Sequence, residues 1–228
     1  MHRILEHCGV ACVACVVAAA LESGVFAQDL SSIPIAVAPV TVKIDSNAEF
    51  SAIEVSNRGK RPTSVEAEMV RVKWVDGREQ YEATRDFTVS PPVFRLPDGK
   101  SRMVRFRYAG LRSETEGFYR LFIRQLPEEI AGNQISMVFN LGVPVFVAPF
   151  TSRMALSMNR PPGRAPELHN TGNVTVTVLA LEGGGCPQGA QQVMARISPA
   201  QKLVLKDLSA ACATSARTDR GMIQLNVH

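Results

Sequence analysis

Residues 134–149 read Gln-Ile-Ser-Met-Val-Phe-Asn-Leu-Gly-Val-Pro-Val-Phe-Val-Ala-Pro. Ile135, Met137, Phe139, Leu141, Val143, Val145 and Val147 fall on every second position without a break. A strand sends residues i and i+2 to the same face, so this row predicts one continuous apolar edge. Strands usually run about 5–6 residues, and this row is more than twice as long. A strand of that length either crosses a whole sandwich or carries side chains destined for something besides its own core.

The chain on either side has the same period. From Ile33 on, alternating segments are separated by turn residues, and no long stretch shows the 3.6-residue helical period, which predicts an all-β chain. Ile35–Ile44 reads as a first strand bent at Pro39, an edge position where no ladder donor is needed. Ile53 and Val55 alternate with polar neighbours before the turn at Asn57-Arg58-Gly59. Val70, Val72 and Trp74 alternate with Arg71 and Lys73 up to Asp76-Gly77. Phe87 and Val89 precede the rigid break Ser90-Pro91-Pro92, and Val93–Leu96 runs into Pro97-Asp98-Gly99-Lys100, a strong turn signal. Val104, Phe106 and Tyr108 alternate with Arg105 and Arg107; Phe118–Leu126 is the strand before the long one. This is the strand count of one immunoglobulin-like sandwich, closing near Pro149. Val174, Val176 and Val178, then Leu203 and Leu205, then Ile223, Leu225 and Val227 predict a second, smaller β unit over 151–228. No internal sequence repeat relates the halves.

Residues 1–27 read as an address. Arg3 precedes an uncharged run from Gly9 to Leu21, and Val25-Phe26-Ala27 supplies small or modest residues at a cleavage site before Gln28. The run is short for a membrane span, so no stable membrane insertion is expected. Cys8, Cys12 and Cys15 would leave with this segment, and only Cys186 and Cys212 of the five cysteines would stay. An even pair in an exported chain predicts a disulfide, worth about 3–4 kcal/mol by loop-closure entropy.

The net charge of +4 is spread thinly, unlike the clustered basic stripe of a nucleic-acid binder. After cleavage only His169 and the terminal His228 remain, too little for a Ser-His-Asp arrangement or a histidine metal site. His169 falls in His-Asn-Thr-Gly-Asn, a turn signature. Gly183-Gly184-Gly185 lacks the Lys-Ser/Thr of a phosphate loop. No enzyme activity, cofactor or metal is expected.

Several runs together resemble the periplasmic chaperones of chaperone–usher pilus assembly, the PapD-like superfamily. They are Lys73-Trp74-Val75-Asp76-Gly77, Thr88-Val89-Ser90-Pro91-Pro92-Val93-Phe94, Leu96-Pro97-Asp98-Gly99-Lys100 with Val104-Arg105, Phe118–Ile123 through Leu126-Pro127, and Val143-Pro144-Val145-Phe146-Val147. The order and spacing match over about 33–150, and the Trp74 and Val147 segments look most like the archaic, Csu-type branch. The second half matches only loosely, through His169–Asn173 and Ile197-Ser198-Pro199.

The resemblance implies an all-β fold of two immunoglobulin-like sandwiches in tandem, set at an angle: signal 1–27, chaperone domain 28–150, smaller sandwich 151–228. It implies that the protein binds pilus subunits lacking their final strand, lends them its own (donor-strand complementation), and passes them to an outer-membrane usher from the periplasm. The donor positions carried over are Ile135, Met137 and Phe139, with Leu141 next in the row. From Val143 on, the row is expected to serve the chain's own core. An exposed donor edge also leaves a self-capping homodimer open.

One departure stands out. Many family members hold the subunit's terminal carboxylate with an Arg on the first strand and a Lys on the seventh, but the matching positions here are Thr41 and Pro144. Lys43, Arg120 and Arg124 are the replacement candidates, since guanidinium forks suit carboxylates. The competing expectation is a secreted β-sandwich adhesin or structural pilus component. It fits less well, because only a few residues lie between Gln28 and the first strand.

Overall fold

The computed structural model describes residues 34–75, 78–127, 138–184, 189–206 and 212–227. The export segment 1–27 and the donor positions Ile135 and Met137 lie outside these residues. The described chain is nearly all β and forms two immunoglobulin-like sandwiches, as the alternation predicts. Among the described residues no helix is long and apolar enough to cross a membrane, and no cluster of three or more His, Cys, Asp or Glu could hold a metal.

The first sandwich has ten strands: β1 (Ile35–Ala38), β2 (Val42–Ile44), β3 (Phe50–Asn57), β4 (Thr63–Val75), β5 (Arg78–Ala83), β6 (Phe87–Ser90), β7 (Val93–Leu96), β8 (Ser101–Tyr108), β9 (Gly117–Gln125) and β10 (Asn140–Val147). One sheet runs β1-β3-β8-β6; the other runs β2-β10-β9-β4-β5, with β7 also on β4. The single first strand expected over Ile35–Ile44 is in fact two. The chain bends at Pro39, so β1 pairs antiparallel with β3 in one sheet and β2 pairs parallel with β10 in the other. Pro39 has no N–H to give a ladder, which suits it to the crossing.

Inward positions alternate as a half-buried sheet requires. Ile53, Val55, Val104, Phe106 and Tyr108 face Val65, Ala67, Met69, Tyr119, Leu121, Ile123, Val143, Val145 and Val147, all in one buried cluster. Burial of each such side chain stabilises by about 1.5–3 kcal/mol. The row Val70, Val72 and Trp74 read from the sequence lies on the other face of β4: its inward row is Val65, Ala67 and Met69. Val70 and Val72 are nevertheless buried, so the outer face of this sheet has an apolar layer of its own.

Inside the first sandwich, the Asp86 carboxylate accepts the Tyr119 hydroxyl at 2.8 Å and pairs with Arg71. Burial alone would push this carboxyl up, but hydrogen bonds from Tyr119, Thr84 and Arg71 together hold it below the usual aspartate value. A depressed folded value contributes stability above the unfolded value, and that stability is lost as pH falls through the folded value. Asp86→Asn should therefore cost about 1–3 kcal/mol at neutral pH. The gap from the parent protein should begin to narrow below about pH 4 and go on narrowing as the pH falls. Thermal melts of both proteins from pH 7 to pH 3 test this; a gap independent of pH would remove the ionised pair as its cause.

The second sandwich holds β11 (Leu156–Asn159), β12 (Glu167–Asn170), β13 (Val176–Glu182), β14 (Gln191–Ile197), β15 (Lys202–Val204), β16 (Ser215–Thr218) and β17 (Gly221–Val227), ordered β14-β13-β16-β17-β11-β12-β15. Its core is a separate cluster built on Leu156, Met158, Leu168, Val176, Val178, Leu181 and Ile197. His169, expected in a turn, sits on β12, half-buried and 3.0 Å from Glu167. Cys212 is disulfide-bonded. Its expected partner Cys186 lies outside the described residues.

The halves share a device that comparing their sequences end to end does not reveal. Buried Asn57 donates to the carbonyls of Arg61 and Leu96 and accepts the Gly59 N–H at 2.9 Å. Buried Asn170 donates to the carbonyls of Val174 and Ile197 and accepts the Gly172 N–H, also at 2.9 Å. Each Asn-x-Gly closes the turn after a core strand and satisfies buried carbonyls that would otherwise be left without partners. At Gly172 the need for glycine is steric: a Cβ would lie 2.3 Å from the Arg153 carbonyl oxygen.

Candidate functional site: the free edge of the tenth strand

β10 pairs with β9 along its whole length, from Asn140↔Arg124 to Val147↔Gly117. On its other side β2 covers only Val145–Val147. Among the described residues, Asn140–Pro144 thus has no second neighbouring strand. β1, which bends away at Pro39, is itself an edge of the opposite sheet. Among the described residues the sandwich thus lacks a neighbouring strand in two places, one beside β1 and one beside Asn140–Pro144, each leaving a row of ladder groups unpaired by a strand.

The alternating row changes character along this opening. Val143, Val145 and Val147 are fully inside the core. Leu141 is only half-buried, packed against the core's rim. Phe139 is also half-buried and continues the register, its carbonyl accepting the Gln125 N–H at 2.8 Å. Ile135 and Met137 continue the row in sequence but lie outside the described residues.

The cationic candidates do not form one cluster. Lys43, on β2, is paired with Asp219 of the second sandwich at 3.0 Å, beyond the open edge. Arg120 and Arg124 lie on the outer face of β9, directly opposite Pro144 and Asn140, and so flank the open stretch. Arg120 donates from one terminal nitrogen to both oxygens of Glu79, at 2.6 and 2.7 Å, and its buried Nε has no hydrogen-bond partner among the described residues. Arg124 pairs with Glu68 and, at 3.4 Å, with Glu66; the bond to Glu68, above all, pushes its guanidinium up from the usual value. The Arg124 guanidinium is thereby held in its charged form, and each of the two arginines sits beside a carboxylate.

Two features of this face were not read from the sequence. Gly142 lies across from Phe122, and a Cβ there would stand 2.8 Å from the Arg120 Cδ and 3.2 Å from the Phe122 ring. This glycine lets the long side chains of β9 fold over β10. Glu79, Glu66 and Glu68 come from strands far from β9 in sequence, so no local spacing marks them as partners. The alternation Phe118, Arg120, Phe122, Arg124 was the available signal that this face is built rather than merely solvated.

Solved structures share this fold at low identity. The class 5 fimbriae chaperone CfaA is 13% identical, with a TM-score of 0.65, and the match covers 85% of this chain and 99% of that one. A chain of the CsuC–CsuE chaperone–tip adhesion subunit pre-assembly complex, from the archaic chaperone–usher Csu pili of Acinetobacter baumannii, is 17% identical with a TM-score of 0.58, covering 85% and 99%. A chain of the Salmonella enterica SafA pilin–SafB chaperone complex is 16% identical with a TM-score of 0.57, covering 84% and 95%. No curated protein matches the chain. The sequence profile of the PapD N-terminal domain matches residues 34–152, the whole first sandwich with its open edge, and so the chain belongs to the pili and flagellar-assembly chaperones.

Proposed function

We propose that this protein is a non-enzymatic periplasmic chaperone of the archaic, Csu-type branch. It captures pilus subunits by donor-strand complementation and delivers them to an outer-membrane usher. Residues 1–27 direct export and are removed; 28–150 carry the donor strand, and 151–228 form the second sandwich, held by a Cys186–Cys212 disulfide. The observation that carries this reading is the open stretch Asn140–Pro144, with an apolar row running off the end of the chaperone's own core. A subunit missing a strand exposes a groove and two unpaired edges. Pairing along β10 satisfies its backbone, and Ile135, Met137, Phe139 and Leu141 fill its groove.

Co-expression with a pilus subunit tests the reading. A soluble one-to-one complex is expected, and an insoluble subunit with the chaperone alone in solution would overturn it.

The subunit's terminal carboxylate is proposed to bind at Arg120, with Arg124 and Lys43 as the further candidates. Glu79 occupies the Arg120 guanidinium in the free chain, so an incoming carboxylate must displace it, and the unpartnered Nε–H gains an acceptor in return. Amidating the subunit's C-terminus is expected to weaken binding about tenfold or more, in line with about 1.5–3 kcal/mol for a hydrogen bond to a charged group. In Arg120→Ala the same amidation should make no further difference. Equal binding of both subunit forms by the parent chaperone would remove carboxylate anchoring.

A further inference from the structure

The outer face of β10-β9-β4-β5 is a constructed surface. Trp74 stacks on Phe118 (6.4 Å between centroids), and Phe118 stacks on Phe146 (5.0 Å, interplanar angle 8°). Tyr81 stands edge-on to Phe122 at 5.2 Å, and the Arg120 guanidinium lies between the Tyr81 and Phe118 rings, 5.9 and 5.8 Å from their centroids. Arg124 covers Phe122 at 4.9 Å. Beneath these groups Val70 and Val72 are buried. Yet the top is open: Trp74 is 42% and Tyr81 50% exposed. Beside them a groove of about 230 Å³ runs between Trp74 and Phe118 on one side and Ser198 and Pro199 on the other.

Three physical points define the partner. The guanidiniums already have carboxylates, so the face is close to neutral and selects for apolar rather than charged contacts. Exposed Trp and Tyr, held rigidly beside Arg, have the composition of binding hot spots. The face is continuous with the donor edge: Pro144 lies opposite Arg120, which lies opposite Val70. Strands sit about 4.8 Å apart, so the Trp74 strand is only about 10 Å from β10. A subunit domain with a radius of gyration of about 13 Å, paired along β10, overhangs that distance.

We infer that this face is a second contact surface for the same pilus subunit, taken by an apolar loop that closes over Trp74 and Tyr81 once the donor strand has paired. This rests on the donor-strand reading above. The donor edge supplies backbone pairing, and the ring face fixes the direction from which the subunit's body approaches.

The chain has one tryptophan, so the full mature protein reports on the face directly. Its emission is titrated with a tryptophan-free pilus subunit, and the affinities of Trp74→Ala/Tyr81→Ala and of Phe139→Asp are measured alongside. Both exposed rings can be removed without emptying the core, and circular dichroism checks this. A blue shift on binding is expected, together with an affinity loss of about tenfold to a hundredfold in the double variant. Unshifted emission with double-variant binding within about twofold of the parent overturns the second surface while leaving the donor edge intact. An emission shift that depends on chaperone concentration without subunit assigns the face to a second copy of this chain and also overturns it. Normal binding by Phe139→Asp defeats the donor-strand reading instead.

Discussion

Phe139→Asp is expected to leave the first sandwich folded and to abolish recovery of a pilus subunit with the chaperone. Phe139 lies past the last fully buried residue of its row, Val143, and only the rim residue Leu141 separates them. Its side chain contributes little to the chaperone's own core, so the melting temperature should hardly change. In a complex it is proposed to enter the subunit's groove. There a phenyl ring would contribute about 1.5–3 kcal/mol, and a carboxylate would add a desolvation cost of several kcal/mol. Together these amount to at least about a hundredfold in affinity. Pairing Met137→Asp with it should deepen the loss. Affinity chromatography from co-expressing cells followed by size exclusion reads the result directly. Unchanged capture by a folded Phe139→Asp protein would take donor-strand pairing away from this residue.

The same substitution three positions further along the row should have the opposite consequence. Val145 is fully buried, between Val42 of β2 and Tyr119 of β9 in register, and is part of the central cluster. Val145→Asp loses the apolar burial and places a carboxylate inside the hydrophobic cluster. The expected cost exceeds about 4 kcal/mol. That is a large part of the roughly 5–15 kcal/mol by which a domain is stable. The variant should be insoluble, or melt far below the parent protein, whether or not a subunit is present. If it folds normally, Val145 is not a core residue and the division of the row at Val143 is wrong.

That division shows what the sequence could and could not convey. Strict alternation from Ile135 to Val147 reveals a strand with one apolar face. It does not reveal where the opposing sheet stops, which depends on β1 and β2 parting at Pro39. Pro39 was legible as a bend. The consequence, two strands in different sheets and a stretch Asn140–Pro144 with no second strand beside it among the described residues, is a tertiary fact. Val70, Val72 and Trp74 show the same gap. Their alternation was correct, yet alternation alone does not say which row meets the opposing sheet, and Met69 and Val70 are buried in succession on opposite sides of β4.

The charged candidates were legible as residue types but not as partners. Arg120 and Arg124 are four residues apart within the predicted strand Phe118–Leu126, a spacing that shares one face, and the structure puts them there. Glu79, Glu66 and Glu68, which engage them, come from β5 and β4 and carry no local mark. Asp86 was invisible for the same reason: Arg71 and Tyr119 reach it from two other strands. The two Asn-x-Gly turns could have been paired from sequence, since Asn57-Arg58-Gly59 and Asn170-Thr171-Gly172 were each read as a turn. Their likeness is confined to three residues, below what a repeat between the halves would show.

The most direct measurement is a crystal structure of this chain co-purified with a pilus subunit. The expected density has a subunit strand hydrogen-bonded along β10 from Asn140 toward Pro144, with the Phe139 ring and the two apolar side chains before it in the row seated in the subunit's groove. A complex in which that edge stays uncovered and Phe139 turns onto its own sandwich would contradict donor-strand capture.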